Sequence, residues 1–269
     1  MKIHHTKSEL FYNARLKYYG NEKEPDQLLI ASAPIFNPHA AEDAEDWETY
    51  IYTPKTEKAE KPEKGETKPN RQSFLRAKQR AYDYVRCNDF NAFMTLTFDG
   101  EKIDRSSYDE IIKKLNIWLD NRVRRNGLYY ILCPEYHKDG AVHFHGLCNM
   151  DALKLSEAVN PHTGRKLRQH GVQVYNISDF SLGFTTVLPV VGDEAAKACA
   201  GYVFKYMTKQ GLNNKVGGRY FLSGGDLKKP EYVYLNLDYD NIDAYEFSLI
   251  GSGDTMKVLR GEALAGISL

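Results

Sequence analysis

The most regular hydrophobic pattern in the chain is an alternation of side chains over residues 91–98. A period of two residues is that of a β-strand, whose successive side chains point to opposite faces of a sheet. The two faces carry different side chains: Met94, Leu96 and Phe98 on one, and Phe93, Thr95 and Thr97 on the other. The pattern predicts a strand that ends at Asp99 and Gly100, a pair typical of turns.

Apolar residues spaced three and four positions apart predict three helices. One covers residues 73–86 and is capped by its first serine, and another covers residues 193–210. The helix between them starts at Ser106 or Ser107 and ends before Gly127. Its apolar side consists of Ile111, Ile112, Leu115, Trp118, Leu119 and Val123.

Further strands are predicted in the second half of the chain. Residues 128–134 and 141–150 form a hairpin around a short turn that contains Asp139, and strands are also indicated at 172–177 and 184–190. The order strand, helix, hairpin, strands, helix is typical of an α+β fold. We therefore expect a central antiparallel sheet of about five strands that carries helices on its face.

Charge is distributed unevenly along the chain although the formal net charge is zero. Residues 71–130 and 193–230 each carry four more basic than acidic side chains, whereas residues 1–70 and 231–269 are net acidic. Contact with phosphates requires clustered lysine and arginine. The two basic segments therefore permit a nucleic-acid partner, which the net charge alone would argue against.

Composition divides the chain into four parts. Residues 54–70 consist of Lys, Glu, Pro, Thr and other small or polar residues, which is typical of a solvated linker. The linker separates an N-terminal extension of unknown role, residues 1–53, from a main folded domain, residues 71–235. An acidic C-terminal extension, residues 236–269, follows.

The cysteines and the apolar segments indicate the cellular compartment of the protein. The four cysteines show no CxxC spacing, and the chain has neither a secretion signal nor an apolar run long enough to span a membrane. We expect a soluble cytoplasmic protein with reduced thiols in its core. The cysteines are Cys87, Cys133, Cys148 and Cys199.

A possible metal site lies in the predicted hairpin. His143 and His145 are two residues apart in a strand, so both imidazoles point to the same face. If the hairpin is centred on Asp139, Glu135 pairs with His143 and shares this face, and Cys133 pairs with His145. Two imidazoles and one carboxylate hold a divalent cation and leave positions open for substrate oxygens, as phosphoryl transfer requires.

Two other interpretations of this hairpin stay open. His137 lies on the same face, closer to the turn, and competes with Glu135 as the third ligand, although Glu135 is preferred. Two histidines on alternate positions of a strand are also often only partly exposed side chains of a sheet.

A second constellation lies on the last predicted helix. With 3.6 residues per turn, Tyr202, Lys205, Tyr206 and Lys209 fall within one arc of about 100°. Two phenols one turn apart, each with a lysine three residues on, supply neighbouring nucleophiles and the cations that favour phenolate. Because the chain contains 19 tyrosines, the pattern alone slightly favours a polar helix face without a catalytic role.

Together and in this order, the two constellations resemble the HUH endonuclease superfamily, and within it the replication initiators of rolling-circle phages and plasmids. The resemblance covers residues 91–230. Residues 93–99 are similar to the first motif of that family, the two histidines to its metal motif, and residues 202–209 to its tyrosine helix. The double-tyrosine form is most similar to that of microvirus phages.

The resemblance implies a nickase that acts on single-stranded DNA or a stem-loop origin with Mg²⁺ or Mn²⁺ as cofactor. Tyr206 or Tyr202 would attack the scissile phosphate, leaving a 5′-phosphotyrosine and a free 3′-OH, and the ends would later be rejoined. Lys205 and Lys209 would assist the tyrosines. The partners would be the helicase and polymerase of a bacterial host.

Contacts to DNA are expected from two groups of residues in this scheme. The predicted DNA-binding residues are Thr95, Thr97, Arg122, Arg124 and Arg125. Threonine in a strand is often only a strand former, so this interpretation stays open for the first two.

Two alternatives would account for the same sequence features. A non-catalytic module that binds single-stranded nucleic acid would use the basic segments without cleaving DNA, whatever metal is present. A transposase of the same superfamily would also nick DNA, but such proteins usually carry one tyrosine on a shorter chain.

Overall fold

The computed structural model describes residues 11–20, 26–36, 71–137, 139–190, 201, 205, 216–242, 245–248, 255–260 and 264. The chain divides into two compact units. The larger comprises residues 66–228, and the smaller combines residues 1–65 with residues 229–269. The predicted boundaries at 53, 70 and 235 stay a prediction.

Within the described ranges, two α-helices and fourteen strands follow one another along the chain. They are β1 (Phe11–Tyr18), β2 (Gln27–Phe36), α1 (Arg71–Cys87), β3 (Ala92–Phe98), α2 (Tyr108–Asn126), β4 (Tyr130–Tyr136), β5 (Val142–Cys148), β6 (Leu155–Glu157), β7 (Arg168–Gln169), β8 (Val172–Gln173), β9 (Tyr175–Ile177), β10 (Gly183–Pro189), β11 (Leu222–Gly224), β12 (Glu231–Leu235), β13 (Tyr245–Ser248) and β14 (Thr255–Arg260).

The larger unit is built on a seven-stranded antiparallel sheet in the order β11-β4-β5-β3-β10-β9-β6. The predicted α+β class with a central antiparallel sheet is confirmed. The sheet has seven strands rather than about five because β6 and β11, each of three residues, add one strand at each edge. Such short strands show too little alternation to stand out in a sequence.

The two described helices pack on opposite faces of this sheet. On one face, Met94, Leu96 and Phe98 of β3 share a hydrophobic core with the apolar side of α2, as the alternation predicts. On the other face, Phe74 and Ala81 of α1 belong to a second cluster, whose sheet members are Ile131, Cys133 and Leu147. The histidines of β5 point toward this second face, because they alternate with Phe144.

The ends of the helices follow from their sequences, with one exception. The hydroxyl of Ser107 accepts a hydrogen bond from the backbone N–H of Glu110 at 3.4 Å, and Gly127 ends α2 with a φ of 67°. Ser107, and not Ser106, is therefore the cap of α2. The prediction that Ser73 caps α1 is wrong, because α1 begins at Arg71 and Ser73 lies in its first turn.

The hairpin of β4 and β5 has the predicted register. Glu135 pairs with His143, and Cys133 pairs with His145. The turn contains Gly140 with a φ of 82°, a conformation that glycine adopts without strain. Cys87, Cys133 and Cys148 are buried and in the reduced form, as expected, while Cys199 lies outside the described residues.

The smaller unit contains a five-stranded sheet in the order β12-β1-β2-β14-β13. Its core includes Leu16 and Leu28 from the N-terminal part of the chain and Leu259 from the C-terminal part. The two predicted extensions thus contribute strands to one sheet. Among the described residues, no helix is both long and apolar enough to cross a membrane.

Candidate active site

Four adjacent strands place a row of side chains across one face of the larger sheet. From β4 to β10 the row consists of Glu135, His143, Thr97 and Phe184, which are paired residue by residue. Directly paired residues of antiparallel strands share a face. Glu135 and His143 are buried in this row, whereas Phe184 is exposed.

A second row lies beside the first, offset from it by two residues on each strand. It consists of Cys133, His145, Thr95 and Thr186. The rings of the two histidines lie 6.4 Å apart between centroids and are within 10° of parallel. The two imidazole planes are therefore nearly parallel on this face of the sheet.

A threonine hydroxyl lies next to each histidine. Thr97 Oγ1 is 3.0 Å from Nδ1 of His143, and Thr95 Oγ1 is 3.0 Å from Nδ1 of His145. Each hydrogen bond occupies one ring nitrogen and fixes the ring orientation, which directs Nε2 to the remaining space. The alternation in the sequence placed both threonines on the same face of β3. It did not reveal their hydrogen bonds to the histidines, because these bonds depend on the register between β3 and β5.

Glu135 approaches His145 as well as pairing with His143. Its Oε2 atom is 3.5 Å from Nε2 of His145. The carboxylate and both imidazoles therefore lie within a small, largely buried region. The competing ligand His137 lies at the end of the same hairpin, with its ring centroid 4.1 Å from that of His143.

The electrostatic surroundings favour the ligand form of His143. Burial lowers the pKa of His143, and the neighbouring His137 acts in the same direction. The neutral imidazole that results is the form that binds metal ions. Burial also raises the pKa of Cys133 to about 12, so this thiol stays protonated and is a poor ligand despite its place opposite His145.

The donor set fits a divalent cation by its chemistry. Two imidazoles and a carboxylate, with positions left open, suit a transition metal or a Mg²⁺-like ion that also binds substrate oxygens. Within the described ranges, no three His, Cys, Asp or Glu side chains are already close enough to enclose a cation. A cation held by Glu135, His143 and His145 would have to draw these side chains closer together.

The three predicted DNA-binding arginines lie on α2, whose apolar side packs against the opposite face of the sheet from the histidines. Arg122 forms an ion pair with Asp179 at 2.6 Å, and Arg124 lies 3.9 Å from Asp120. Arg125 is exposed. The structure does not bring these arginines to the row of Glu135, and their role in DNA binding stays a prediction.

The predicted tyrosine helix is described at two positions. Gly201 and Lys205 are both helical and exposed, which agrees with a helix in this part of the chain. Tyr202, Tyr206 and Lys209 lie outside the described residues, so their predicted roles stay predictions.

Comparison with known proteins gives one match. No curated protein and no solved structure is significantly similar to this chain. Residues 91–211 match a family of replication-associated proteins, the ORF2 family. The matched segment contains both histidines, the paired threonines of β3 and the two predicted tyrosines. Over this segment the protein is thus similar to replication-associated proteins.

Proposed function

We propose that the protein is a rolling-circle replication initiator that nicks single-stranded origin DNA with a divalent cation and a tyrosine nucleophile. The observation that carries this proposal is the convergence of Glu135, His143 and His145 on one sheet face, with a threonine hydroxyl on Nδ1 of each histidine. The match to replication-associated proteins supports DNA as the substrate.

Each described side chain of the site has a task in this proposal. A bound Mg²⁺ or Mn²⁺ supplies Lewis-acid polarisation of the scissile phosphate. The hydroxyl oxygens of Thr95 and Thr97 accept hydrogen bonds from Nδ1–H of the histidines, which would leave the Nε2 lone pairs for the cation. Glu135 contributes the negative charge that offsets part of the charge of the cation.

The nucleophile in this proposal is Tyr206 or Tyr202. The phenolate oxygen forms a bond to phosphorus, and the bond from phosphorus to the 3′-oxygen breaks in line with it. The phenol loses its proton and the leaving 3′-oxygen gains one, so the products are a 5′-phosphotyrosine and a free 3′-OH. One phosphodiester replaces another, and the bond energy is retained for rejoining.

Two tyrosines allow a continuous cycle. The 3′-OH primes synthesis by the polymerase and helicase of a bacterial host, within whose cytoplasm the protein acts. After one round, the second tyrosine attacks the regenerated origin while the first still holds the old end. Lys205 and Lys209 favour the phenolate form and stabilise the charge on the phosphate.

The proposal is tested by incubating the full chain with single-stranded and stem-loop DNA from its replication origin, with Mn²⁺, with Mg²⁺ or with EDTA. We expect cleavage only with a divalent ion, and loss of most activity in His143→Ala, His145→Ala and Glu135→Ala. His137→Ala is the matched control from the same hairpin. If His137→Ala is inactive while Glu135→Ala cleaves normally, the ligand assignment is wrong. Full cleavage in EDTA would exclude the metal mechanism, and binding without cleavage would favour a non-catalytic module.

A further inference from the structure

Phe184 of β10 is 68% exposed, more than any other large hydrophobic side chain in the part of the chain that the structure describes. Its strand neighbours Thr185 and Val187 point the other way and are buried, so the inner face of β10 is anchored without Phe184. An exposed aromatic ring therefore adds little to the packing of the sheet.

The position of Phe184 relates it to the candidate active site. Phe184 pairs with Thr97, which in turn pairs with His143, so the three residues lie side by side on one face. Two strand spacings separate Phe184 from His143, a distance of about 10 Å. The phenyl ring is therefore close enough to contact a DNA strand whose phosphate reaches the histidines and that continues toward β10.

The surroundings of Phe184 favour a flat ligand over a protein partner. Its neighbours on this face are Thr97 on the adjoining strand and Thr186 on its own strand, and both are polar. Docking of a protein uses a continuous apolar patch, which these threonines interrupt. A single aromatic ring bordered by hydroxyl groups suits a nucleobase, which stacks on the ring while its sugar and phosphates meet polar side chains.

We infer that Phe184 is a stacking platform for one base of single-stranded DNA, next to the scissile phosphate. This inference rests on the proposed function, because it takes the DNA strand to lie across the histidine row. It adds a binding residue outside the three predicted motifs. The contact reads the flat face of a base, so it favours single strands over duplexes without specifying which base is bound.

The first test measures binding separately from cleavage. Fluorescence anisotropy of a labelled thymidine oligonucleotide is recorded with the full chain in EDTA, where no metal chemistry takes place. A stacking contact of ordinary strength predicts that Phe184→Ala and Phe184→Leu bind about 5- to 150-fold more weakly, while Phe184→Tyr and Phe184→Trp stay close to the parent protein. Ile117→Ala is the matched control, because Ile117 is also an exposed apolar residue but lies on α2. This variant should bind the oligonucleotide as the parent protein does.

Comparing the binding of Phe184→Leu with that of Phe184→Tyr distinguishes aromatic stacking from simple hydrophobic contact. If Phe184→Leu binds as well as the parent, or if the parent shows no binding to the oligonucleotide, the inference is wrong. If only the non-aromatic variants lose affinity for the oligonucleotide, the stacking role of Phe184 is supported even when no nicking is detected. Failure of the proposed nicking activity is therefore distinguishable from failure of the stacking inference. Thermal unfolding of each variant checks that the substitutions leave the fold intact.

A second test locates the stacked base. Single abasic positions are moved along a cognate strand, and binding is measured for the parent and for Phe184→Ala. We expect the parent to lose affinity when the abasic position lies next to the cleavage site, and Phe184→Ala to be insensitive at that position. Equal sensitivity of both proteins at every position would overturn the assignment.

Discussion

The hydrogen bonds between threonines and histidines set the chemistry of the candidate site at the scale of single residues. Thr97 and Thr95 each place a hydroxyl 3.0 Å from Nδ1 of a histidine. Partners of this kind hold the tautomer and the direction of a metal-binding imidazole. Thr95 and Thr97 are therefore positioning residues in our proposal, in addition to any contact they make with DNA.

We predict that Thr97→Val and Thr95→Val weaken the binding of Mn²⁺ by about 10- to 100-fold, the usual effect of losing a partner of a ligating histidine. Isothermal titration calorimetry without DNA measures this directly. The serine variants keep the hydroxyl and should restore affinity. Thr186→Val is the matched control, because Thr186 pairs with Thr95 on the side away from the histidines. Unchanged affinity in both valine variants would remove the positioning role.

We also predict that Tyr202→Phe and Tyr206→Phe have unequal effects, because only one phenol at a time can lie in line with the scissile bond. Tyr206 is the expected first nucleophile, since Lys205 and Lys209 both lie within one turn of it. Tyr202→Phe should still nick and form an adduct yet fail in repeated rounds. Gel assays of single and multiple turnover measure the difference, and two equally active single variants would contradict it.

The sequence was sufficient to place the three proposed ligand residues on one sheet face, but it did not reveal their neighbours. Alternation within β5 and the symmetry of a short hairpin place Glu135, His143 and His145 on one face, and both are local properties of the chain. The contact of Thr97 with His143 joins positions 46 residues apart. It depends on which strand lies next to β5, and no local pattern specifies that choice.

At the scale of the elements, β5 is shaped by a close approach to β4. Gly146 follows His145 directly, and a Cβ atom at this position would collide with the backbone of Ile131 and Leu132. Glycine is needed here because of this contact and not because of an unusual backbone conformation. The tight approach fixes the strand that carries both histidines.

We predict that Gly146→Ala lowers the free energy of unfolding by about 1–3 kcal/mol, the usual cost of overpacking, and also reduces cleavage by displacing His145. Chemical denaturation measures the stability. Gly201→Ala is the matched control, because Gly201 is helical and an added Cβ has open space around it. This control should be as stable as the parent or slightly more so. Equal stability of Gly146→Ala and the parent would refute the close approach.

At this scale, the sequence predicted long elements better than short ones. The helix α2 has a six-residue apolar side and end signals, and its predicted bounds were confirmed except for the choice between Ser106 and Ser107. Strands of three residues, such as β11, are defined by their partner strand and not by their own pattern. The predicted sheet was therefore too small.

At the scale of the whole molecule, the smaller unit combines strands from the N-terminal and C-terminal parts of the chain in one sheet. Leu28 of β2 pairs with Leu16 of β1 on one side and with Leu259 of β14 on the other, and all three are buried. Alternation in these strands predicts that each has one buried face, but it does not predict which strand pairs with which. A pairing between segments so distant along the chain could not be predicted from composition, which showed only two acidic extensions.

We predict that Leu28→Asp lowers the stability of the smaller unit by about 3 kcal/mol or more, because it places an unpaired charge in the core. Limited proteolysis with mass spectrometry should then show cleavage in both β1 and β14, while residues 92–189 stay protected. Gln27→Asp, on the neighbouring position of the same strand, is the control. Cleavage confined to the N-terminal segment would contradict the shared sheet.

The central claim is that a tyrosine of this chain becomes joined to DNA at a site that needs a divalent cation. The most direct measurement is a denaturing gel of the full chain with labelled origin DNA, followed by mass spectrometry of the modified peptide. We predict an adduct on Tyr206 or Tyr202 with Mn²⁺, no adduct in EDTA or in His143→Ala, and none in the Tyr202→Phe, Tyr206→Phe double variant. An adduct that persists in the double variant would place the nucleophile elsewhere and contradict the account.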